Sequence, residues 1–416
     1  MFRDLFLISI DCLRPDSLGS YNLTRRQTPN LDAIAAEGTI FTQAVSHAPF
    51  TTPALGSLLT GRYPNHTGIR LLLGQLCDAG VPTLAEFAGR AGYLTAGFPS
   101  SFVLNSETGL ARGFDHYRDI REGIDAGRNG HWQTGDRLNN ALDRFLAQSG
   151  RRRVFCWLHY FDLHEYHLDK AVPIETSYAR DLCERIDRDC IGGLMEVLRR
   201  RGRLDHAGFI ITADHGEDLY QHGHRGHGHH LYDSVLRVPL IWNLRAPDEM
   251  RRHVRRQVRH VDVMPTLLEI WGFARETWPT GLDGQSLVPL LRGDPIPERD
   301  EPDRDNCSYA EASPRQLFEG DTESYRTFAG PEQCSLRTSG FKFIRHGDGR
   351  RELYDLRTDP LEMTNIADAR REWADRFDRT LADATASDDD RFRAIDYSEG
   401  DGEKVMSRLR ELGYVA

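Results

Sequence analysis

Residues able to bind a metal ion follow two apolar segments of the chain. Asp11 follows the run Leu5–Ile10, and the pair Asp214–His215 follows Gly208–Thr212. Ligands of open α/β sheets collect at the carboxyl ends of strands, so these residues are candidate metal ligands. Carboxylate oxygen and imidazole nitrogen together suit Mn, Zn or Fe better than Ca. An ordinary turn or cap aspartate is an equally good interpretation of Asp11 alone.

Histidines are concentrated in two further segments. Residues 159–167, after the strand pattern Val154–Leu158, contain three histidines and Asp162, and residues 221–230 contain five histidines. One histidine in such a place is more often structural, but three beside an aspartate favour a functional site. The second segment has the composition of a generic metal-binding or flexible loop. Its position directly after Asp214–His215 favours a place in the same site.

A hydroxyl group at a helix start is a candidate nucleophile. A proline-containing loop at residues 46–53 leads into the apolar run Leu55–Leu59, which Gly61 ends, and this predicts a loop that turns into a helix. Unpaired N–H groups and the positive end of the helix dipole would attract a phosphate or sulfate group there. The alternative is that Thr51 or Thr52 only caps the helix.

Composition narrows the class of protein. The chain has 416 residues, of which 39% are hydrophobic, enough for a large core and a smaller subdomain. A net charge of −10 argues against a nucleic-acid partner and against residence on anionic membrane. Seven scattered cysteines without a CxxC pair favour neither a disulfide framework nor a zinc ribbon. We therefore expect a cytoplasmic protein without a membrane partner, since no segment resembles a signal peptide or a membrane span.

Periodicity and turn residues predict the elements between these motifs. Further strands are expected at Tyr93–Phe98 and Val235–Trp242, and helices at residues 28–38, 81–90, 132–148, 178–201 and 260–269. Residues 292–306 are rich in Pro, Asp and Glu and predict a boundary between a catalytic domain at 1–300 and a C-terminal subdomain at 301–416. The second contains hairpin-like strands at Cys334–Arg345 and Arg351–Leu356.

Six motifs in chain order resemble those of the sulfatases of the alkaline phosphatase superfamily. They are Asp11-Cys-Leu-Arg-Pro-Asp16, Thr28-Pro-Asn-Leu31, Leu59-Thr-Gly-Arg-Tyr-Pro64, Asp214-His-Gly-Glu217, Arg237-Val-Pro-Leu240 and Leu353-Tyr-Asp-Leu356. The resemblance implies an α/β fold, with an α/β/α sandwich around a mixed central sheet and a small antiparallel C-terminal subdomain. It also implies a metal-assisted hydrolase of sulfate or phosphate esters.

The chain departs from the sulfatase pattern at the nucleophile. Sulfatases have Cys or Ser followed by x-Pro-x-Arg, and that Cys or Ser is oxidised to formylglycine. Thr51 stands at this position and Leu55 replaces the arginine. Threonine is not converted by that route. By resemblance to phosphatase and phosphodiesterase members of the superfamily, Thr51 attacks directly, with a cation lowering the pKa of its hydroxyl.

Two further positions depart from the family pattern, and a third matches it. Cys12 stands where the family has a second acidic ligand; either its thiolate favours Zn or Mn, or a thiol that faces away leaves a smaller ligand set. The family's active-site lysine falls near His227, so the resemblance implies that His227 binds the ester group or protonates the leaving oxygen. His164 matches the family's histidine beside the leaving group, where an imidazole acid works near neutral pH.

The resemblance thus implies a complete ligand set. The metal ligands are Asp11, Cys12, Thr51, Asp214 and His215. Mn or Zn is favoured, with Ca or Mg as alternatives. A second ion, held by Asp162 or His164 together with His227 or His229, is the alternative to a single ion.

The favoured function is hydrolysis of phosphate or phosphonate esters, as monoesters or diesters, through Thr51. An unmodified threonine suits phosphoryl transfer, and the substrate is expected to be a small anionic ester. A sulfatase that works without formylglycine is the second hypothesis. An acceptor alcohol in place of water would make the enzyme a phospho-group transferase. A non-catalytic relative that keeps the fold is the remaining alternative.

Overall fold

The structure, a computed structural model, describes residues 2–22, 28–72, 77–118, 134–168, 171–244, 252–294, 302, 307–312 and 331–386. Its strands are β1 (Asp4–Ile10), β2 (Thr39–Val45), β3 (Leu94–Pro99), β4 (His116–Tyr117), β5 (Val154–Tyr160), β6 (Ala207–Ala213), β7 (Asp218–Leu219), β8 (Arg225–Gly226), β9 (Arg237–Asn243), β10 (Arg252–Arg259), β11 (Ser308–Ala312), β12 (Gln333–Arg337), β13 (Phe341–His346) and β14 (Arg351–Asp355).

The helices of the same ranges are α1 (Pro29–Ala36), α2 (Thr51–Thr60), α3 (Pro64–Thr67), α4 (Leu84–Arg90), α5 (Gly135–Ser149), α6 (Ile174–Asp181), α7 (Gly192–Arg200), α8 (Asp233–Leu236), α9 (Val263–Ile270), α10 (Val288–Arg292) and α11 (Arg371–Thr385). A π-helical segment, Leu182–Ile191, joins α6 to α7.

A mixed eight-stranded sheet forms the centre of the protein, in the order β10-β2-β9-β6-β1-β5-β3-β4. Its described neighbours are parallel except at β9, which runs antiparallel to β2 and to β6. β1 lies between β5 and β6, and all of its residues are buried. A strand covered on both faces has a continuous apolar sequence, which explains the run Leu5–Ile10.

Helices pack in two groups that flank this sheet. α1, α5 and α7 contact the π-helical segment, while α2 contacts α4 and α9. In α5, Leu138, Leu142 and Phe145 recur at helical spacing and are buried. The predicted α/β/α sandwich with a mixed central sheet is confirmed.

A small antiparallel sheet, in the order β11-β12-β13-β14, contains the C-terminal strands. Phe343 and Leu353 of this sheet share a hydrophobic core with Phe377 of α11. The expected small antiparallel subdomain is therefore confirmed. The boundary at residue 300 stays a prediction, because residues 295–301 lie outside the described ranges.

A buried ion cluster joins the small sheet to the main body. Lys342 of β13 is fully buried, and its Nζ lies 2.9 Å from Asp233 Oδ1 and 3.1 Å from Glu362 Oε1. Arg337 of β12 reaches the other oxygen of Asp233 at 2.8 Å. Asp233 begins α8, which directly follows the histidine-rich loop, so the cluster supports one end of that loop.

Most predicted elements lie where the sequence placed them, with three differences. The helix predicted at 178–201 is interrupted by the π-helical segment, and the helix predicted at 132–148 begins at Gly135, with residues 132 and 133 outside the described ranges. The strands β2, β4, β7, β8, β10 and β11 were not predicted. β10 is an edge strand rich in arginine, so it has no apolar run to reveal it.

No helix in the described ranges combines the length and the apolar character needed to cross a membrane. All seven cysteines lie in these ranges and are free thiols. The cytoplasmic location stays a prediction.

Candidate active site

Strand register brings Asp11 and Asp214 together. β1 pairs in parallel with β6, and Ile10 lies opposite Ala213, so the two aspartates are the next residues of adjacent strands. Both carboxylates are fully buried. The backbone N–H of Cys12 donates to Asp214 Oδ1 at 3.2 Å, which ties the end of β1 to this carboxylate. The structure thus places two predicted ligands side by side.

His215 presents one ring nitrogen to the same place. Its Nδ1 lies 2.9 Å from Gly216 O, so Nδ1 carries the proton and Nε2 keeps its lone pair. Nε2 lies 3.4 Å from Asp214 Oδ2. Neither of these two atoms has a hydrogen-bond partner in the described part of the chain.

His159 is a candidate ligand that no sequence motif singles out. It is the last residue but one of β5, is fully buried, and lies opposite Ser9 of β1. Its Nε2 is 3.6 Å from Asp11 Oδ2. Donor atoms of Asp11, His159 and Asp214 lie within 4.8 Å of one another. Strand register would have identified His159. It lies opposite Ser9, and Ser9 and Asp11 are two residues apart and share a face of the sheet.

Thr51 begins α2 and faces Asp11. The cap residue of the helix is Phe50, in extended conformation, so Thr51 and Thr52 are helical residues and the capping interpretation is wrong. Thr51 Oγ1 donates to Asp11 Oδ2 at 3.3 Å. Thr52 Oγ1 donates instead to Leu72 O at 2.7 Å. Of these two threonines, only Thr51 aims its hydroxyl at the predicted ligands.

Burial dominates the electrostatics of the site. It raises the pKa of Asp11 to about 6, while the nearby imidazole of His215 acts in the opposite direction. Burial also raises the pKa of Asp214, and repulsion from Asp11 adds to it. It lowers the pKa of His159 to about 4. Buried carboxylates and lone pairs without partners are costly, and a cation relieves that cost, so these residues fit the divalent ion that the sequence predicts.

Cys12 adopts an unusual conformation between the two aspartates. Its φ is +58°, a left-handed value that is rare for a side chain other than glycine. The thiol donates to Asp11 Oδ1 at 2.8 Å. Burial, followed by repulsion from Asp11, raises the pKa of this thiol well above its usual value. Its donor atom lies within 4.8 Å of donors of Asp11 and His215, and its role as a ligand stays a prediction.

The two predicted acids, His164 and His227, lie beside Cys12, and the ring centroid of His227 is 4.3 Å from that of His215. Their ring centroids are 5.2 Å apart, and His164 stacks on Phe161 at 4.3 Å. His227 Nδ1 lies 3.1 Å from Glu217 Oε2 and 3.6 Å from Cys12 Sγ. Donor atoms of Cys12, His164 and His227 fall within 4.8 Å of one another, a geometry that a second cation could use.

Other polar side chains have hydrogen bonds outside this group. Asp162 Oδ1 accepts a hydrogen bond at 3.0 Å from the N–H of Gly135, the first residue of α5, and a place for Asp162 at a second ion stays a prediction. His222 and His230 gather around Asp218, at 3.1 and 3.6 Å from its Oδ2.

Family profiles place the chain among known proteins. The sulfatase profile matches residues 3–273, and the profile of the N-sulphoglucosamine sulphohydrolase C-terminal region matches residues 223–383. Because the first match spans more than half of the chain, this protein belongs to the sulfatase family. It is a hydrolase of sulfate or phosphate esters, and enzymes of this family are metal-dependent.

Individual relatives match over most of the chain. It is 25% identical to the sulfatase YidJ of Escherichia coli, with 88% of this chain and 84% of that protein covered. It is 24% identical to the choline-sulfatase of Rhizobium meliloti, with 82% and 77% covered. The solved structure of the phosphonate monoester hydrolase of Agrobacterium radiobacter superposes with a TM-score of 0.70 at 20% identity, over 93% of this chain and 96% of that one. That last likeness shows the fold.

Proposed function

We propose that this protein hydrolyses phosphate or phosphonate esters with Thr51 as the nucleophile. The observation that carries the proposal is the 3.3 Å contact between Thr51 Oγ1 and Asp11 Oδ2 at the start of α2. An unmodified hydroxyl suits transfer of a phosphoryl group, because it attacks phosphorus directly. The fold shared with the phosphonate monoester hydrolase of Agrobacterium radiobacter supports the same substrate class.

The predicted ion is a divalent metal, Mn or Zn in preference to Ca or Mg. Asp11, Thr51, Asp214 and His215 would hold it, with Cys12 as a further predicted ligand. When bound, it supplies positive charge that lowers the pKa of the threonine hydroxyl and neutralises the transferred group.

Residues of the chain carry out the proton transfers of the proposed reaction. Asp11 Oδ2 accepts the proton of Thr51, whose oxygen then bonds to phosphorus as the bond to the leaving oxygen breaks. His164 or His227 gives that oxygen its proton. Glu217 holds His227 in place through Nδ1, at 3.1 Å. Water hydrolyses the phosphothreonine to complete turnover; an alcohol in its place would make the enzyme a transferase.

A sulfatase that acts without formylglycine is the second candidate function. Sequence similarity to the choline-sulfatase of Rhizobium meliloti favours it. Sulfate esters as preferred substrates would identify it, whereas the absence of turnover and of bound metal would identify a non-catalytic relative.

Ester hydrolysis by matched variants tests the proposal. Aryl phosphate, phosphodiester, phosphonate and sulfate esters are offered to the wild type, Thr51→Ala, Thr51→Ser and Thr52→Ala. We expect turnover of phosphorus esters to fall at least about 1,000-fold in Thr51→Ala and to survive in Thr51→Ser. Thr52→Ala is the control, because the neighbouring hydroxyl binds Leu72 O. Acid quenching should trap phosphate on Thr51. Full activity of Thr51→Ala, or dominant sulfate turnover, would contradict the proposal.

A further inference from the structure

Strand pairing in the central sheet places His159 next to the predicted metal ligands. Parallel pairing sets Ser9 opposite both His159 of β5 and Thr212 of β6. Side chains directly opposite one another in neighbouring strands lie on the same face of a sheet. Asp11 continues that face two residues beyond Ser9, so the imidazole of His159 stands directly beside the carboxylate of Asp11.

The free nitrogen of this imidazole points at the two aspartates. Nε2 of His159 is 3.6 Å from Asp11 Oδ2, and its donor lies within 4.8 Å of those of Asp11 and Asp214. The side chain is fully buried. Within the described ranges Nε2 has no hydrogen-bond partner, as is also true of Asp214 Oδ2 and His215 Nε2. Three buried polar atoms without partners thus meet around Asp11.

The opposite nitrogen is fixed by hydrogen bonds. His159 Nδ1 lies 3.0 Å from Ser9 Oγ, which also accepts a hydrogen bond from Trp157 Nε1 at 3.0 Å. Ser9 Oγ has its own acceptor in Leu158 O, at 3.4 Å. With the serine proton directed there, Nδ1–H donates to Ser9 and the lone pair of His159 is on Nε2. Histidines that bind metals are held in this way through the other ring nitrogen.

A second buried histidine, His260, serves as a comparison, because it has no place in the predicted metal site. His260 is also fully buried, but its Nε2 lies 3.0 Å from Thr212 Oγ1. The hydroxyl of Thr212 in turn donates to Pro239 O at 2.8 Å, so His260 donates through Nε2 and has a partner there. His260 leaves its Nδ1 without a hydrogen-bond partner in the described ranges, but the groups of potential metal ligands found there include His159 and not His260.

We propose that His159 is a direct ligand, through Nε2, of the divalent ion that Asp11, Asp214 and His215 would hold. This inference rests on the metal dependence assumed in the proposed function. It gives the ion two imidazole nitrogens beside two carboxylates. Nitrogen donors shift preference towards Zn and Mn and away from Ca and Mg.

Pulsed electron paramagnetic resonance of the Mn²⁺-loaded protein counts the imidazole nitrogens on the ion. We expect two nitrogens in the wild type and in His260→Gln, and one in His159→Gln. The affinity for Mn²⁺ and Zn²⁺, measured by calorimetry on chelator-stripped protein, should fall about 10-fold to 100-fold in His159→Gln and stay unchanged in His260→Gln.

The number of imidazole nitrogens on the ion of the wild-type protein tests the role of His159 even if a variant fails to fold. One nitrogen in the wild type, lost in His215→Gln, would overturn the role of His159 and leave the proposed function intact. No bound Mn²⁺ or Zn²⁺ in the wild type would defeat the metal site and the proposed function together. The number of bound nitrogens is measured without turnover, so it can also be determined in Thr51→Ala. The test of His159 as a ligand is therefore independent of the test of Thr51 as the nucleophile.

Discussion

Glu217 Oε2 lies 3.1 Å from His227 Nδ1, and both side chains are largely buried. The pair joins a motif residue without an assigned role to one of the two predicted acids. A carboxylate behind an imidazole fixes the ring and makes it more basic, which prepares His227 to carry a proton.

Glu217→Gln should therefore impair protonation of the leaving group. We expect kcat to fall about 10-fold to 100-fold for alkyl esters and less for nitrophenyl esters, because a nitrophenolate leaves without a proton. Steady-state rates on the two kinds of ester measure this. Glu196→Gln, at an exposed ion pair with Arg199, is the control and should leave both rates unchanged. Equal losses on both esters would instead assign Glu217 a structural role.

Metal removal should destabilise the protein and stop turnover. Mass spectrometry of the native protein should find one ion per chain. Stripping with a chelator should lower Tm, and returning Mn²⁺ or Zn²⁺ should restore it, since ligands that bind only the folded state stabilise it. Two ions per chain would assign the second to Cys12, His164 and His227, whose donor atoms lie within 4.8 Å of one another.

Gly216 holds the loop between His215 and Glu217 against the backbone of α8. A Cβ at this position would lie 2.4 Å from Ser234 O. Gly216→Ala should therefore lower the free energy of unfolding by about 1–3 kcal/mol and weaken metal binding. Gly89→Ala is the matched control: it lies in α4 with nothing within 4 Å of the added carbon, and should stabilise the protein by about 0.5–1 kcal/mol. Urea unfolding of both variants tests the contrast.

His260 should make the protein sensitive to acid. Burial lowers the pKa of His260 to about 3, whereas an unfolded histidine titrates near 6.5. The unfolded state therefore takes up a proton first, and stability is lost as the pH falls below about 6.5. Between pH 6.5 and 5, the metal-free wild type should lose about 2 kcal/mol more than His260→Gln. Parallel stability curves for the two proteins would show that His260 titrates normally.

Lys342 should be a major contributor to stability. It is fully buried between Asp233 and Glu362, so Lys342→Met leaves the buried carboxylate of Glu362 without its cation and Asp233 with Arg337 alone. We expect a loss of about 3–5 kcal/mol. Arg350→Met breaks an exposed pair with Asp348 and should leave stability nearly unchanged, because solvent screens this pair. Chemical denaturation of both variants measures the difference, and similar losses would contradict it.

The sequence revealed the parts of the site that local pattern encodes. Asp11 and Asp214 each follow an apolar strand, and Thr51 lies where a proline-containing loop becomes a helix. His159 belongs to no such pattern. It faces the site only because β5 pairs with β1 in the register that sets it opposite Ser9, a relation between residues 150 positions apart.

Non-local packing also explains the missed parts of the fold. β10 contains Arg252, Arg255, Arg256 and Arg259, and it is recognisable as a strand only through its pairing with β2. The π-helical segment that interrupts the predicted long helix also makes non-local contacts. There Asp187 accepts backbone hydrogen bonds from Asn30 and Leu31 of α1.

The antiparallel direction of β9 affects which parts of this enzyme can change in sequence during evolution. β6 and β9 are adjacent and antiparallel, so the whole segment 214–236, with its motif and its histidines, is the loop of one long hairpin. Both ends of that loop are fixed in the sheet, and lengthening a loop between fixed ends costs little free energy. Insertions and substitutions at its tip can therefore reshape substrate recognition during evolution while the strands that carry the aspartates keep their register.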